Sequence, residues 1–353
     1  MINFRYHVVS IVAVFLALAI GIVLGATELQ GATLDALRAS SKNLAADLNT
    51  SQTQNRALQQ QMTADQGFAQ ANEGRLLAGL LTSQRVVVVA APGAPADVVS
   101  GVTSAAQKAG AVVTGQVNLQ PKLLDASENN LQFLSALVQQ LVSPGGTAPN
   151  GTPLQQAAKL LGSAILTKNA PSVPSSGSAA GGSASARKNV LSSYARSGLL
   201  SVSGPLSTSQ PSSATLAIVV TPATPPPGGD SVAANQGLIT LAEQLQTASL
   251  GTVMAGSVTG SVAGSAINAV RTSNAGTQIS TVDDADTVAG QIVAVQQLAL
   301  ALTGHKATSY GEDAGSAGAG PSPAPTPAGS TPATTTVPGS KSTKRPAKTG
   351  SHA

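Results

Sequence analysis

The sequence predicts an α/β protein in which an N-terminal transmembrane helix and a coiled-coil segment precede a mainly parallel β-sheet domain flanked by helices, with a disordered C-terminal tail. Three observations carry this expectation. Residues 8–24 form one uncharged apolar run, residues 34–62 place apolar side chains at heptad spacing, and two later stretches each read apolar strand, Pro-rich loop, helix, Gly, strand.

The run at 8–24 reads VVSIVAVFLALAIGIVL, and twelve of its seventeen residues are Val, Ile, Leu or Phe. Each contributes roughly −0.3 to −0.6 kcal/mol near a membrane centre, so insertion is favoured by on the order of 5 kcal/mol. Extended to residue 26, a helix at ~1.5 Å per residue covers about 28 Å, enough to cross a bilayer. A cleaved signal peptide and a buried core helix are the competing readings. Against the first, Leu24-Gly25-Ala26 puts a large residue where a cleavage site needs a small one. Residues 8–26 are therefore expected to be an anchor, preceded by a cytoplasmic stub at 1–7. Arg5 and the α-amino group on one side, with Glu28 as the first charge on the other, direct the bulk of the chain out of the cytoplasm; Arg38 and Lys42 reduce that bias.

From residue 33 the chain becomes polar with a narrow apolar seam. Leu34, Ser41, Leu48, Asn55 and Met62 occupy one heptad position, and Leu37, Leu44, Ser51 and Leu58 the other. An Asn in such a seam often sets register and strand number. A coiled coil over 33–66 that joins copies of the chain into a homo-oligomer is expected, against the alternative of one amphipathic helix lying on the domain. Residues 43–66 are too polar to cover a core.

The α/β domain is expected over 84–310. Residues 86–89 are all valine, the mark of a strand covered on both faces. Pro92-Gly93-Ala94-Pro95 forms the loop, Asp97 is a candidate helix cap, and Val98, Val99, Val102, Ala105, Ala106 and Ala109 fall at helical spacing before Gly110. Residues 111–117 read as the next strand. Helices are predicted over 129–142 and 154–166, and a mobile Ser/Gly/Ala/Pro loop over 168–186. The second unit runs through a strand at 216–220, a loop at 221–229, a helix carrying Leu238, Leu241, Ala242 and Leu245 and capped by Asp230 or Ser231, and a strand at 252–255. A last strand at 277–282 leads to a helix at 287–303, and 311–353 reads as a disordered Ala/Pro/Ser/Thr-rich basic tail.

Composition narrows the chemistry. Of the 353 residues 10% are charged and 2% aromatic, so the core must come from Val, Leu, Ile and Ala. The net charge of +4 resides in Lys341, Lys344, Arg345 and Lys348; without the last forty residues, which hold these four and no Asp or Glu, positive and negative residues balance, and no nucleic-acid partner is indicated. The absence of cysteine excludes disulfides, thiolate metal sites and cysteine nucleophiles. No phosphate-binding glycine motif, G-x-S-x-G or H-E-x-x-H occurs, so no enzyme and no cofactor are expected. The densest constellation is Asp283, Asp284 and Asp286, which can hold a hard cation or cap the following helix. His305 is the one histidine between the anchor and the tail; it suits either a metal ligand or a residue complementing a helix C-terminus.

Two stretches resemble the MctB-type copper transport proteins. One is Arg5-Tyr6-His7-Val8-Val9-Ser10 with the apolar run that follows to Gly25. The other is Ile279-Ser280-Thr281-Val282-Asp283-Asp284 with Asp286 and Gly290. The resemblance covers roughly 1–311 and implies a cell-envelope protein of copper efflux and homeostasis, described for the family as an outer-membrane channel, with copper ions as a partner. The family closes with Gly-His-Tyr-Gly, whereas here Lys306–Ser309 separates Gly304-His305 from Tyr310-Gly311. The residues themselves argue against a barrel. Its strands would need ~9–11 alternating residues, and these are short and uniformly apolar. Copper(I) favours Cys or Met and copper(II) favours imidazole, yet beyond the anchor the expected folded part offers Met62, Met254 and His305.

Overall fold

Valine at four consecutive positions leaves a strand without a polar face, so both of its sides have to be covered. The computed structural model has that arrangement; it describes residues 4–142, 146–169, 184–208, 212–223, 231–257, 264–313 and 315–327. The strands are β1 (Arg85–Ala90), β2 (Val112–Leu119), β3 (Leu200–Ser203), β4 (Leu216–Val220), β5 (Gly251–Ala255), β6 (Ser280–Val282) and β7 (Ser309–Tyr310). They form one open sheet in the order β3-β2-β1-β4-β5-β6-β7. Every pair is parallel except β2 with β3.

The helices are α1 (Phe4–Leu77), α2 (Ala96–Lys108), α3 (Pro121–Leu124), α4 (Glu128–Leu141), α5 (Pro153–Ile165), α6 (Ala184–Arg196), α7 (Ser231–Ala248), α8 (Ala266–Arg271) and α9 (Val288–Leu302). The alternation of side chains along each strand sorts them onto two faces. Val87, Val89, Val117, Val219 and Met254 are buried on the face that carries α4, α5, α6, α7 and α8. Val86, Val88, Leu216, Ile218 and Val253 are buried on the other, beneath α2 and α9. A doubly wound sheet results, with α5 held at its start by a capping box between Thr152 and Gln155.

The chain divides into two units, 1–68 and 69–353. In the first, α1 runs without interruption through the expected anchor and seam, so the two predicted segments are one helix. Its stretch Phe4–Gly25 is the one helix among the described residues that is long and apolar enough to cross a membrane, and it is wholly unburied.

The second unit starts earlier than the expected boundary at 84. Leu77, Leu80 and Leu81 are buried in the α2/α9 core, and the buried carboxylate of Glu73 accepts a 2.6 Å ion pair from Lys108. The strand and helix expectations hold to within a few residues except in three places; of the two expected caps of α7, Asp230 lies outside the described residues and Ser231 is the first residue of the helix itself. Residues 184–186, expected in the mobile loop, begin α6, because Leu191 and Tyr194 need a place in the core; the Tyr194 hydroxyl donates to the carbonyl of Ala157 at 2.9 Å. The remainder of that loop, 170–183, lies outside the described residues. Thr277, expected in a strand, closes a short 3-10 turn before β6. Asp97 makes no capping bond: Pro95 holds the cap position of α2, and Asp97 sits in the first turn.

Between β2 and β3, Gly115 has φ +145°, and an added Cβ would lie 2.5 Å from the carbonyl of Ser203. Glycine is what permits the antiparallel edge strand to approach here. Residues 311–313 and 315–327, expected to belong to the tail, include an ordered return: Gly311 donates to the carbonyl of Gly318 and Ala317 to that of Ser309. The rest of the expected tail lies outside the described residues.

Candidate functional site

The acidic constellation lies where β6 ends, with β5 and β7 on either side. Asp283 is fully buried, and Arg271, from the last turn of α8, reaches it through Nη1 at 2.6 Å. The same guanidinium donates from Nε to Thr281 Oγ1 at 2.9 Å and from Nη2 to the carbonyl of Tyr310 at 2.9 Å. The carboxylate also accepts the amides of Glu312 at 2.9 Å and Asp313 at 3.3 Å. Charge and hydrogen bonds are thus satisfied together, as a buried ion requires. Three stretches of the chain, at residues 271, 281–283 and 310–313, meet on one carboxylate and one guanidinium.

Asp284 differs. It is buried, and its Oδ1 has no hydrogen-bond partner. Its main-chain carbonyl accepts from the amide and hydroxyl of Thr287, the residue that caps α9 by accepting the amide of Gly290. Burial pushes the carboxyl up to about 6, and the nearby charges of Asp283, Glu312 and Asp286 push in the same direction. Asp286 is exposed on the turn. His305 is exposed beyond the C-terminus of α9, about 22 Å along that 15-residue helix from the Asp residues at its start, and its Nδ1 lies 2.7 Å from Thr303 Oγ1. His305 is therefore not brought to the three aspartates. Among the described residues, no group of three or more His, Asp or Glu side chains is placed to hold a metal ion.

Sequence reasoning missed Arg271, although a signal existed: it is the one Lys or Arg between Arg196 and Lys306, twelve residues before Asp283. The structure also explains both conspicuous glycines. A Cβ on Gly290 would overlap the carbonyl of Asp284, and one on Gly311, where φ is +132°, would overlap the carboxylate of Asp283. Of the split closing motif, Tyr310-Gly311 belongs to this corner, while Gly304-His305 sits in the turn after α9.

Doubly wound sheets bind ligands at the carboxyl ends of their strands, near the point where the strand order reverses. Here that point lies between β1 and β4. A groove of about 300 Å³ opens beside it, lined by residues 90–94 and 118–121. A neighbouring groove of about 420 Å³ between α2 and β2 presents Ser100, Thr103, Ser104, Gln107, Gln116 and Asn118. Neither lining includes a charged or aromatic side chain or a histidine. Amides and hydroxyls can donate and accept hydrogen bonds, but they supply no general acid or base near neutral pH.

The remaining candidate is the seam on α1. Leu37, Leu44, Leu48, Leu58 and Met62 are each more than half exposed, and Asn55 lies on the helix between Leu48 and Leu58; Leu34 is on the same helix. Between residues 35 and 66 no Leu, Ile, Val, Met or aromatic residue occurs away from these positions.

Comparison with known proteins gives a consistent result. A family model described as "Copper transport outer membrane protein, MctB" matches residues 1–321. The copper transporter MctB of Mycobacterium leprae is 32% identical over 319 residues, covering 88% of this chain and 96% of its own. The copper transporter MctB of Mycobacterium tuberculosis is 30% identical over 324 residues, with the same coverage of each.

Proposed function

The chain belongs to the MctB family, and from that premise we propose that it is a single-pass, non-catalytic cell-envelope protein that serves copper efflux and homeostasis by holding partners at the membrane, not by forming a pore. The bulk of the chain then lies on the extracytoplasmic side, and the seam on α1 joins copies of the chain. The observation that carries this reading is the architecture. Among the described residues, one candidate membrane span precedes an open sheet whose strands are buried on both faces, and a single helix encloses no channel.

The ligand set supports a holding role too. Among the described residues beyond the candidate membrane span, Met254 is buried in β5, Met62 lies on the α1 seam and His305 follows α9, so the soft or imidazole donors there fall on separate elements. Copper is then cargo handled with other proteins, not an ion resident in this chain. A second reading, an envelope assembly protein acting through the same seam, is favoured by the exposed Leu37, Leu44, Leu48, Leu58 and Met62.

Deletion of the gene separates the two readings. Under the copper reading, deletion raises cell-associated copper and lowers copper tolerance, and the full chain restores both. Unchanged copper content together with altered envelope integrity favours assembly. Protease protection of intact cells tests the sidedness: cleavage within 69–327 from outside the cytoplasmic membrane is expected, and full protection overturns it.

A further inference from the structure

We propose that residues 37–62 of α1 close on the same residues of a second copy of this chain as a parallel, in-register, two-stranded coiled coil, with Asn55 facing the partner's Asn55. The proposal rests on the reading of the seam as a meeting surface between copies, and adds the orientation, the register and the number of strands.

The orientation follows from helix continuity. The candidate membrane span Phe4–Gly25 and the seam belong to the same uninterrupted helix. Two copies inserted the same way into one bilayer bring that helix out of the membrane in the same direction, starting from the same height. Their seams are parallel, and each residue is level with its own counterpart.

The register agrees with the polar positions. In register, Ser41, Ser51 and Asn55 each meet their own counterpart, so the Asn55 amides can donate to and accept from one another within the seam. A slip of one heptad sets Asn55 against Leu48 on one side and Met62 on the other, leaving two amides buried without partners. The flanking positions are compatible. Across an in-register parallel pair, Asp47 faces Gln52, Arg38 faces Thr33, and Gln54 and Gln61 face Gln59 and Gln66, so no like charges oppose at these flanking positions; Asp65, the next second seam position, would meet its own counterpart and ends the pairing after Met62. An Asn at the first seam position with Leu at three of the four second positions is the pattern of two strands.

The complete absence of cysteine gives a clean test. Single variants Leu44→Cys, Leu48→Cys and Met62→Cys on the seam, and Thr53→Cys and Gln60→Cys on the opposite face, are made in the full chain and oxidised in membranes. At least ten-fold more covalent dimer is expected from the seam variants. Seam positions one heptad apart are separated by about 10 Å along the axis, beyond disulfide reach. Co-expressed Ser41→Cys and Leu48→Cys chains carrying different tags are therefore expected to cross-link at least five-fold less than Leu48→Cys with itself. Native mass spectrometry of the unmodified protein in detergent is expected to count two chains.

Equal cross-linking on both faces, an offset pair that exceeds the matched pair, three or more chains, or adducts of Leu48→Cys with another protein without dimer would each overturn the proposal. The presence of each variant in the membrane fraction is the control for insertion. The copper content of a deletion strain reads the broader function independently, so loss of one leaves the other standing.

Discussion

Arg271 Nη1 lies 2.6 Å from Asp283 Oδ2, and both side chains are almost completely removed from solvent. This pair, twelve residues apart in sequence, ties α8 to the end of β6 and, through Tyr310, Glu312 and Asp313, holds the return of the chain after β7. A buried pair with all its hydrogen bonds made contributes order at modest net stability, whereas either partner alone is costly.

Breaking that pair from one side is therefore expected to be severe. Asp283→Asn and Arg271→Gln should each destabilise the domain by about 3–5 kcal/mol. Their combination should cost clearly less than the sum, because the second change removes the charge the first left uncompensated. Urea unfolding of the four proteins in detergent measures this coupling; strict additivity would contradict it.

Asp284 predicts a pH dependence. Burial raises its folded pKa to about 6, above the unfolded value of roughly 3.9, so the folded state favours the protonated form. The associated stabilisation is complete below the unfolded value and is lost as pH rises through about 6. A shift of about two units corresponds to on the order of 3 kcal/mol. Asp284→Asn should flatten the decline in stability between pH 4 and 7 and be the more stable protein at pH 7.5. Thermal unfolding across that range provides the comparison.

The glycines at this corner should tolerate substitution unequally. Alanine normally favours a helix over glycine by about 1 kcal/mol. At Gly290 its Cβ meets the carbonyl of Asp284, so Gly290→Ala is expected to destabilise by about 3 kcal/mol or more. Gly311→Ala should be at least as harmful, since it combines a positive φ with the Asp283 carboxylate. Gly304→Ala has the positive φ but open space around it, so about 1 kcal/mol is expected. Measured midpoints that rank the three alike would contradict the geometry.

The pair Glu73–Lys108 is asymmetric: the carboxylate is buried, and the ammonium is about half exposed. Lys108→Ala strands a buried charge, whereas Glu73→Gln keeps a polar group against a lysine that water can solvate. The first is expected to cost about 2–3 kcal/mol and the second about 1 kcal/mol, read from chemical unfolding of the full chain. A reversed order would place the burial on the wrong partner.

Much of the fold was legible because its signals are local. A run of valines, a Pro-rich loop and apolar residues at helical spacing identify β1, β4, α2 and α7 without reference to the rest of the chain. The candidate site was legible only in part. Asp283 and Asp284 stood out by density, yet their different partners depend on Arg271, which reaches one carboxylate and leaves the other without a partner at Oδ1. The edge strand β3 was missed because Leu200–Ser203 carries only two apolar residues and is placed by its pairing with β2. Gly290 and Gly311 carry no local turn motif that separates them from the other glycines; the backbone or carboxylate they accommodate comes from elsewhere in the fold.

By itself, the sequence determined an apolar segment long enough to span a bilayer, a polar helix with apolar residues at heptad spacing, and strands that need cover on both faces. Hydrophobic pattern and period are properties of neighbouring residues, and they survive without a fold. Only the tertiary structure decided which aspartate is paired and which has an oxygen without a partner, that the domain includes residues before 84, and that it continues past β7. Those outcomes depend on distances between residues remote along the chain, and burial raises the energetic stakes of each pairing only after the chain has closed around it.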